Sequence, residues 1–230
     1  MSLDPNKIFI IFKKSFGPLN WWPIDLEYHK KNKSDPRYEI ILGAILTQNT
    51  AWSNVEKALE KLKSQNKLKI DDILKTEIDT LKQLIKPSGF YNQKAERIIT
   101  VSSYLHDKYR SNLDNFFKRD ASIIRKELLS LKGIGPETAD SILLYAGDKP
   151  IFVVDEYTKR LCKRLPLEVK INYSDIQKYF QDFLAKKYEE KKLSIVYNEL
   201  HAQIVNIAKI YCKKKPNCTK CPLAKKCNFS

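Results

Sequence analysis

Glycine, histidine and methionine are scarce in this chain: six, three and one in 230 residues. Few glycines, and no Asn-Gly or Asp-Gly step between alternating runs, argue against a hairpin-rich β protein. No apolar run is long enough to cross a bilayer. The stretch from Met1 to Lys14 sets Ile8, Phe9, Ile11 and Phe12 among lysines, and it lacks the small-residue cleavage site of a signal peptide. A cytoplasmic protein without a membrane partner is expected. In that compartment thiols stay reduced, so the five cysteines argue for a metal site rather than disulfides. Four of them crowd the last nineteen residues; Cys162 stands apart as a buried or half-buried thiol with no assigned role.

Lysine and arginine, by contrast, are abundant. They number 42 against 27 acidic residues, a formal net charge of +15. A lysine-rich solubilising surface is the plain explanation and a phosphate-binding face the sharper one. Charge alone does not separate DNA from RNA or from an anionic membrane.

Helix signals run through the whole chain. Asp35 followed by Pro36 is an N-cap with proline in the first turn, ahead of the apolar run Ile40 to Leu46. Ser53 with Glu56 reads as a capping box. Thr76 and Asp120 open further segments, Tyr91 to Tyr109 carries a helical apolar stripe, and Pro136 opens a helix that Gly147 can close. Ser174 starts another, and Leu193 to Tyr211 is the last long one. About nine or ten helices and an all-α fold are predicted.

The segment Leu131-Lys132-Gly133-Ile134-Gly135-Pro136 lies between two of these helices. Two glycines one residue apart permit a tight turn and let a phosphate approach the backbone N–H groups. The following helix offers its positive end to the same anion, while Ile134 can plug into the core. An ordinary helical hairpin would share these features; the basic chain favours DNA. Eighteen residues past Glu137, four apolar residues lead into Asp155, which has the profile of an N-cap. A carboxylate in a cleft also suits N-glycosidic cleavage. It stabilises the cationic sugar left as the base departs and can orient or deprotonate the attacking water.

The order Leu131, Gly133, Ile134, Gly135, Thr138, Ala139 and then Asp155 resembles the helix-hairpin-helix and aspartate signature of the endonuclease III superfamily of DNA glycosylases. The resemblance makes Asp155 the essential aspartate and the hairpin, with Lys132, Gly133, Ile134 and Gly135, a DNA-binding element. Bifunctional members carry a lysine just before the Thr-Ala pair that forms a Schiff base with the sugar. Glu137 stands there in this chain and cannot form that imine, which implies a monofunctional enzyme. Leu46-Thr47-Gln48-Asn49-Thr50 and Gly89-Phe90-Tyr91-Asn92-Gln93-Lys94-Ala95 resemble the family segments that extrude a nucleotide. By that likeness Gln48 fills the gap in the stack or contacts the orphaned base, and Phe90 is the intercalating wedge.

A narrower resemblance is to the 3-methyladenine glycosylases of this class. It rests on Trp21-Trp22-Pro23, on Trp52 after Leu46 to Thr50, on the segment from Pro87 to Ala95, and on Glu137. It implies a pocket from Trp21, Trp22, Pro23 and Trp52 that stacks on a cationic methylated purine. Such a base leaves readily and needs little acid catalysis, which suits a chain with few histidines. A mismatch or oxidised-base glycosylase of the same fold, or a non-catalytic helix-hairpin-helix DNA-binding module, are the alternatives.

At the C-terminus, Cys212, Cys218, Cys221 and Cys227 have the spacing C-x5-C-x2-C-x5-C. A set of four cysteines commonly holds zinc. This pattern, with one C-x-x-C and outlying partners, resembles instead the [4Fe–4S] loop of endonuclease III, with the first gap one residue shorter. Lys209, Lys213, Lys214, Lys215, Lys220, Lys225 and Lys226 surround it; a solvated basic face is the plain explanation, and with the hairpin an extended phosphate-binding surface is the expectation. The fold implied is two-lobed: a helical barrel domain over residues 36–147, and a second domain from residues 1–35 plus 148–230 with the cluster loop at 212–227. The implied partner is double-stranded DNA carrying a damaged base, bound by a monomer in the nucleoid.

Overall fold

Capping chemistry starts many of the helices in this computed structural model, which describes residues 3–229. The Asp4 carboxylate accepts the Lys7 N–H at 2.9 Å and opens α1 (Pro5–Phe16). Asp25 opens α2 (Leu26–Asn32), and Asp35 accepts the Arg37 N–H at 2.9 Å to open α3 (Pro36–Leu46). After Asp4 and after Asp35, proline fills the first helical turn, where its missing N–H costs nothing. The expected capping box at Ser53 does not form. Trp52 takes the first position of α4 (Trp52–Ser64) and packs edge-on against Trp22, which draws Ser53 into the first turn behind Ala51.

Two five-residue helices, α5 (Ile70–Leu74) and α8 (Leu113–Phe117), flank α6 (Ile78–Ile85) and α7 (Tyr91–Tyr109). Thr76 does not cap α6: its hydroxyl donates to Asp72 O, and the helix begins after Glu77. Next come α9 (Ala121–Ser130) and α10 (Pro136–Ser141), which widens into a π-helical turn over Ile142–Ala146 before Gly147. The chain then forms α11 (Glu156–Arg164), α12 (Tyr173–Ala185) and α13 (Glu190–Ile210). Asn172, not Ser174, caps α12, and α13 starts three residues before Leu193. The described residues thus contain thirteen α-helices and no strand, the all-α fold expected.

Contacts divide the chain into two compact units, Trp22–Gly147 and Met1–Trp21 with Asp148–Ser230. In the first unit α3 is buried along its whole length from Tyr38 to Leu46 and forms the axis of the core. The Tyr38 hydroxyl pairs with Ser102 Oγ at 2.6 Å and ties α3 to α7. This unit begins at Trp22 rather than Pro36 because α2 is bound to α3 by a buried polar chain. His29 Nε2 lies 2.7 Å from Glu39 Oε2, and Lys63 reaches Glu39 Oε1 at 2.8 Å.

In the second unit α1 packs against α12 and α13. Glu199 on α13 accepts the N–H groups of Leu19 and Asn20 at 2.9 and 3.0 Å, and Gln203 donates to Gly17 O at 3.0 Å. Phe152 stacks on Phe180 at 4.5 Å, burying the extended segment ahead of α11.

Packing at Gly147 sets a limit on the π turn. A Cβ there would sit 2.6 Å from the buried Phe117 ring and 2.9 Å from Leu143 O. Gly147→Ala is expected to destabilise the protein by about 1–3 kcal/mol through overpacking. An unchanged thermal denaturation midpoint would disprove the constraint.

Candidate active site

The hairpin between α9 and α10 has the turn its glycines allow. Gly133 adopts φ +86°, a region costly for other residues, and an added Cβ would run into the Arg97 side chain. Ile134 is buried and its N–H donates to Leu131 O at 3.1 Å, while Lys132, Gly133, Gly135 and Glu137 are exposed. The hairpin therefore presents backbone and one lysine to solvent and anchors itself through one apolar side chain.

Gln48 lies under this hairpin. Its Nε2 donates to Gly133 O at 3.1 Å and to Thr138 Oγ1 at 2.8 Å, and its Oε1 accepts from Arg97. Both ends of the amide are thus engaged in bracing the turn. Its neighbour Asn49 is exposed, with φ +52°, at the tip of the same loop. Phe90 is also exposed, at 64%, with φ +45° directly after Gly89 at φ +65°. Lys94, in the first turn of α7, is fully buried and donates to Leu46 O, Thr50 Oγ1 and Ser88 O. Burial pushes its ammonium down to about 8, and the charge of Arg97 adds to the shift.

Trp22 and Trp52 meet edge-on at 5.1 Å, and Trp22 meets Tyr145 of the π turn at 5.3 Å. The Trp22 ring lies on Gly43, where a Cβ would come within 2.6 Å of it. Tyr145 escaped the sequence reading because its place on a π turn follows no 3.6-residue stripe. Trp21 belongs to the other compact unit, and Pro23 is exposed.

Asp155 caps α11 and is 9% exposed. Its Oδ1 accepts the Thr158 N–H at 2.7 Å and the Thr158 hydroxyl at 2.8 Å; its Oδ2 lies 3.6 Å from His201 Nε2. Burial pushes the carboxyl up, but His201 and the two Thr158 donors outweigh it and hold the group below the usual carboxylate value. His201 sits on α13, 46 residues away in sequence, and no local pattern announces it.

The cysteine loop is organised by α11. Arg160 donates to Cys212 O at 2.8 Å. Arg164 donates to Cys212 Sγ at 3.1 Å, Lys213 O at 2.8 Å and Lys214 O at 3.1 Å, and its guanidinium covers the Phe229 ring at 4.3 Å. Cys212, Cys218, Cys221 and Cys227 line one small hollow with Arg164. Burial raises the Cys221 thiol, and the other three cysteines raise it further. Among the described residues no three His, Cys, Asp or Glu side chains gather tightly enough to hold one metal ion. Cys162 lies elsewhere, buried, with its thiol pushed up to about 12 by desolvation; it is inert.

A helix-hairpin-helix turn, followed along the chain by a buried aspartate that caps α11, keeps the order of elements that the family resemblance ties to DNA N-glycosylases. The chain belongs to the HhH-GPD superfamily of base excision DNA repair proteins, whose family model matches residues 42–186. It is 43% identical over 224 residues to a Methanocaldococcus jannaschii protein named as a DNA repair glycosylase, covering 96% of this chain and 94% of that one. Thermotoga maritima endonuclease III is 27% identical, with coverage of 88% and 87%. Among solved structures, the H. pylori 3-methyladenine DNA glycosylase bound to 1,N6-ethenoadenine superposes with a TM-score of 0.71 at 32% identity, over 90% of this chain and 98% of that one. A non-covalent endonuclease III–DNA complex shares the fold at a TM-score of 0.70 and 22% identity, over 98% and 95%. The protein is a DNA glycosylase of the endonuclease III class.

The opposing effects on Asp155 give a pH test. A carboxyl held below its unfolded value stays ionised, and adds stability, until the pH falls through its folded pKa. His201→Ala leaves burial less opposed. The acid limb of base excision should move to higher pH, and an unmoved limb would remove His201 from any role at Asp155.

Proposed function

We propose that this glycosylase is monofunctional and excises an alkylated purine, with 3-methyladenine the favoured substrate. The observation that carries this reading is the buried, ionised Asp155 in a chain whose hairpin presents Glu137 where a Schiff-base enzyme needs an amine. The Asp155 anion stabilises the sugar cation as the base leaves and directs water to it. Lys132 and the backbone of Gly133 to Gly135 receive phosphate. Phe90 acts as the wedge. The gap-filling role expected of Gln48 passes to Asn49, because Gln48 already spends its amide on Gly133, Thr138 and Arg97.

Support for the substrate comes from the aromatic set Trp22, Trp52 and Tyr145, ring systems of the kind that attract a flat, electron-poor base. The H. pylori relative binds a modified adenine. Trp21 and Pro23 remain part of the proposed pocket on the strength of the family resemblance. Single-turnover excision from duplexes carrying 3-methyladenine, a G·T mismatch, 8-oxoguanine or thymine glycol tests both points. The expected result is release of 3-methyladenine only, with strand breaks only after alkali, and loss of about 100-fold or more in Asp155→Asn. Excision of another lesion would replace the substrate; breaks without alkali would make the enzyme a lyase.

We also propose that Cys212, Cys218, Cys221 and Cys227 hold a [4Fe–4S] cluster. The reading rests on the C-x5-C-x2-C-x5-C spacing and its family resemblance; the four cysteines line one small hollow, and Arg164 offers an N–H to sulfur and a charge to offset the thiolates. The cluster's contribution would be structural, fixing a loop whose lysines 213, 214, 215, 220, 225 and 226 are all exposed. Protein purified without oxygen should contain about four irons per chain. About one zinc and no iron would establish the alternative. The enzyme is expected to act as a monomer.

A further inference from the structure

We propose that Lys94 is a positioning residue for nucleotide extrusion: its buried ammonium ties the Leu46–Thr50 turn to the Lys86–Gly89 turn, so that Asn49 and Phe90 enter the duplex as one rigid pair. The idea rests on the intercalating roles assigned above to those two residues.

Among the described residues Lys94 is the one lysine that is fully buried. Burying an ammonium is costly unless every N–H finds a partner. Here all three do. Nζ donates to Leu46 O at 2.7 Å and Thr50 Oγ1 at 2.9 Å on one turn, and to Ser88 O at 2.6 Å on the other. The Thr50 hydroxyl in turn donates to Ser88 O, closing the bridge. The carbonyls it holds flank the two exposed tips. Asn49 lies between Leu46 and Thr50, and Phe90 follows Ser88 by two residues. Both tips, and Gly89 between Ser88 and Phe90, are at positive φ. Turns of this kind relax readily when released, so the rigidity must come from outside them. An apolar side chain at this position would fill the same space without donating to either turn. The ammonium is therefore matched to the link, and what the link fixes is the spacing of the two prongs.

The test uses full-length protein and a duplex holding a non-cleavable abasic analogue beside 2-aminopurine, whose fluorescence rises when it is unstacked. Wild type is expected to raise the signal on binding, and Phe90→Ala to lose the rise. Lys94→Met, confirmed as folded by circular dichroism, is expected to lose the rise as well and to slow excision on the order of 10- to 100-fold. Thr50→Val, which removes only the hydroxyl of the bridge, is expected to lose part of it and decides the matter if Lys94→Met does not fold. A folded Lys94→Met, or failing that Thr50→Val, with the full wild-type signal would overturn the proposal. A full signal from Phe90→Ala would instead overturn the wedge.

Discussion

Two hydrogen bonds from Thr158 to one oxygen of Asp155 hold two parts of the second unit in register. They start α11, since the Asp155 side chain supplies the acceptor that the first-turn N–H lacks. They also keep the carboxylate in a single orientation and help it remain charged out of water. Because α11 is a rigid helix of nine residues, fixing its start fixes where Arg160 and Arg164 emerge. Those arginines then take the carbonyls of Cys212, Lys213 and Lys214. One cap thus orders a carboxylate at one end of a helix and a cysteine loop at the other.

The first unit solves a similar problem with side chains rather than a cap. Its three exposed turns, at Asn49, at Phe90 and at Gly133, have backbones that would not hold their shape alone. Two side chains, one cationic and one an amide, lock them. Lys94 joins the first two, and Gln48, backed by Arg97, joins the first to the third. Buried polar networks of this kind are costly when incomplete and specify one arrangement when satisfied. The carbonyls they use sit beside the exposed tips, so the tips themselves stay exposed.

Much of this was legible in the sequence where the determinant is local. Asp35-Pro36 and Asp155 cap helices as their identities require, Tyr91 to Tyr109 is a helix with those limits, and the glycines of the hairpin make the turn they permit. Local signals misled where tertiary packing competed. Trp52 packs on Trp22 and the start of α4 falls ahead of Ser53, and α5 and α8 are too short to show a period. What the sequence could not show is pairing at a distance. His201 facing Asp155, Lys94 bridging two turns, and Arg164 gripping the loop each join residues dozens of positions apart. A lysine or a histidine in a helical stripe reads as surface until its partners are known.

The chain's few histidines all face polar partners. Of the three histidines, His29 is spent on Glu39 and Ser34 inside the first unit, and His106 pairs with Asp71 and Ser111 at the surface. His201 faces a carboxylate oxygen. An imidazole so placed supports the charge of Asp155. An enzyme that must protonate a neutral purine would need another acid. A base already cationic through alkylation needs none, because departure neutralises it. For the alkylated purine proposed above, the electrostatic task that remains is to stabilise positive charge on the sugar, and a buried anion held below its usual pKa is suited to it.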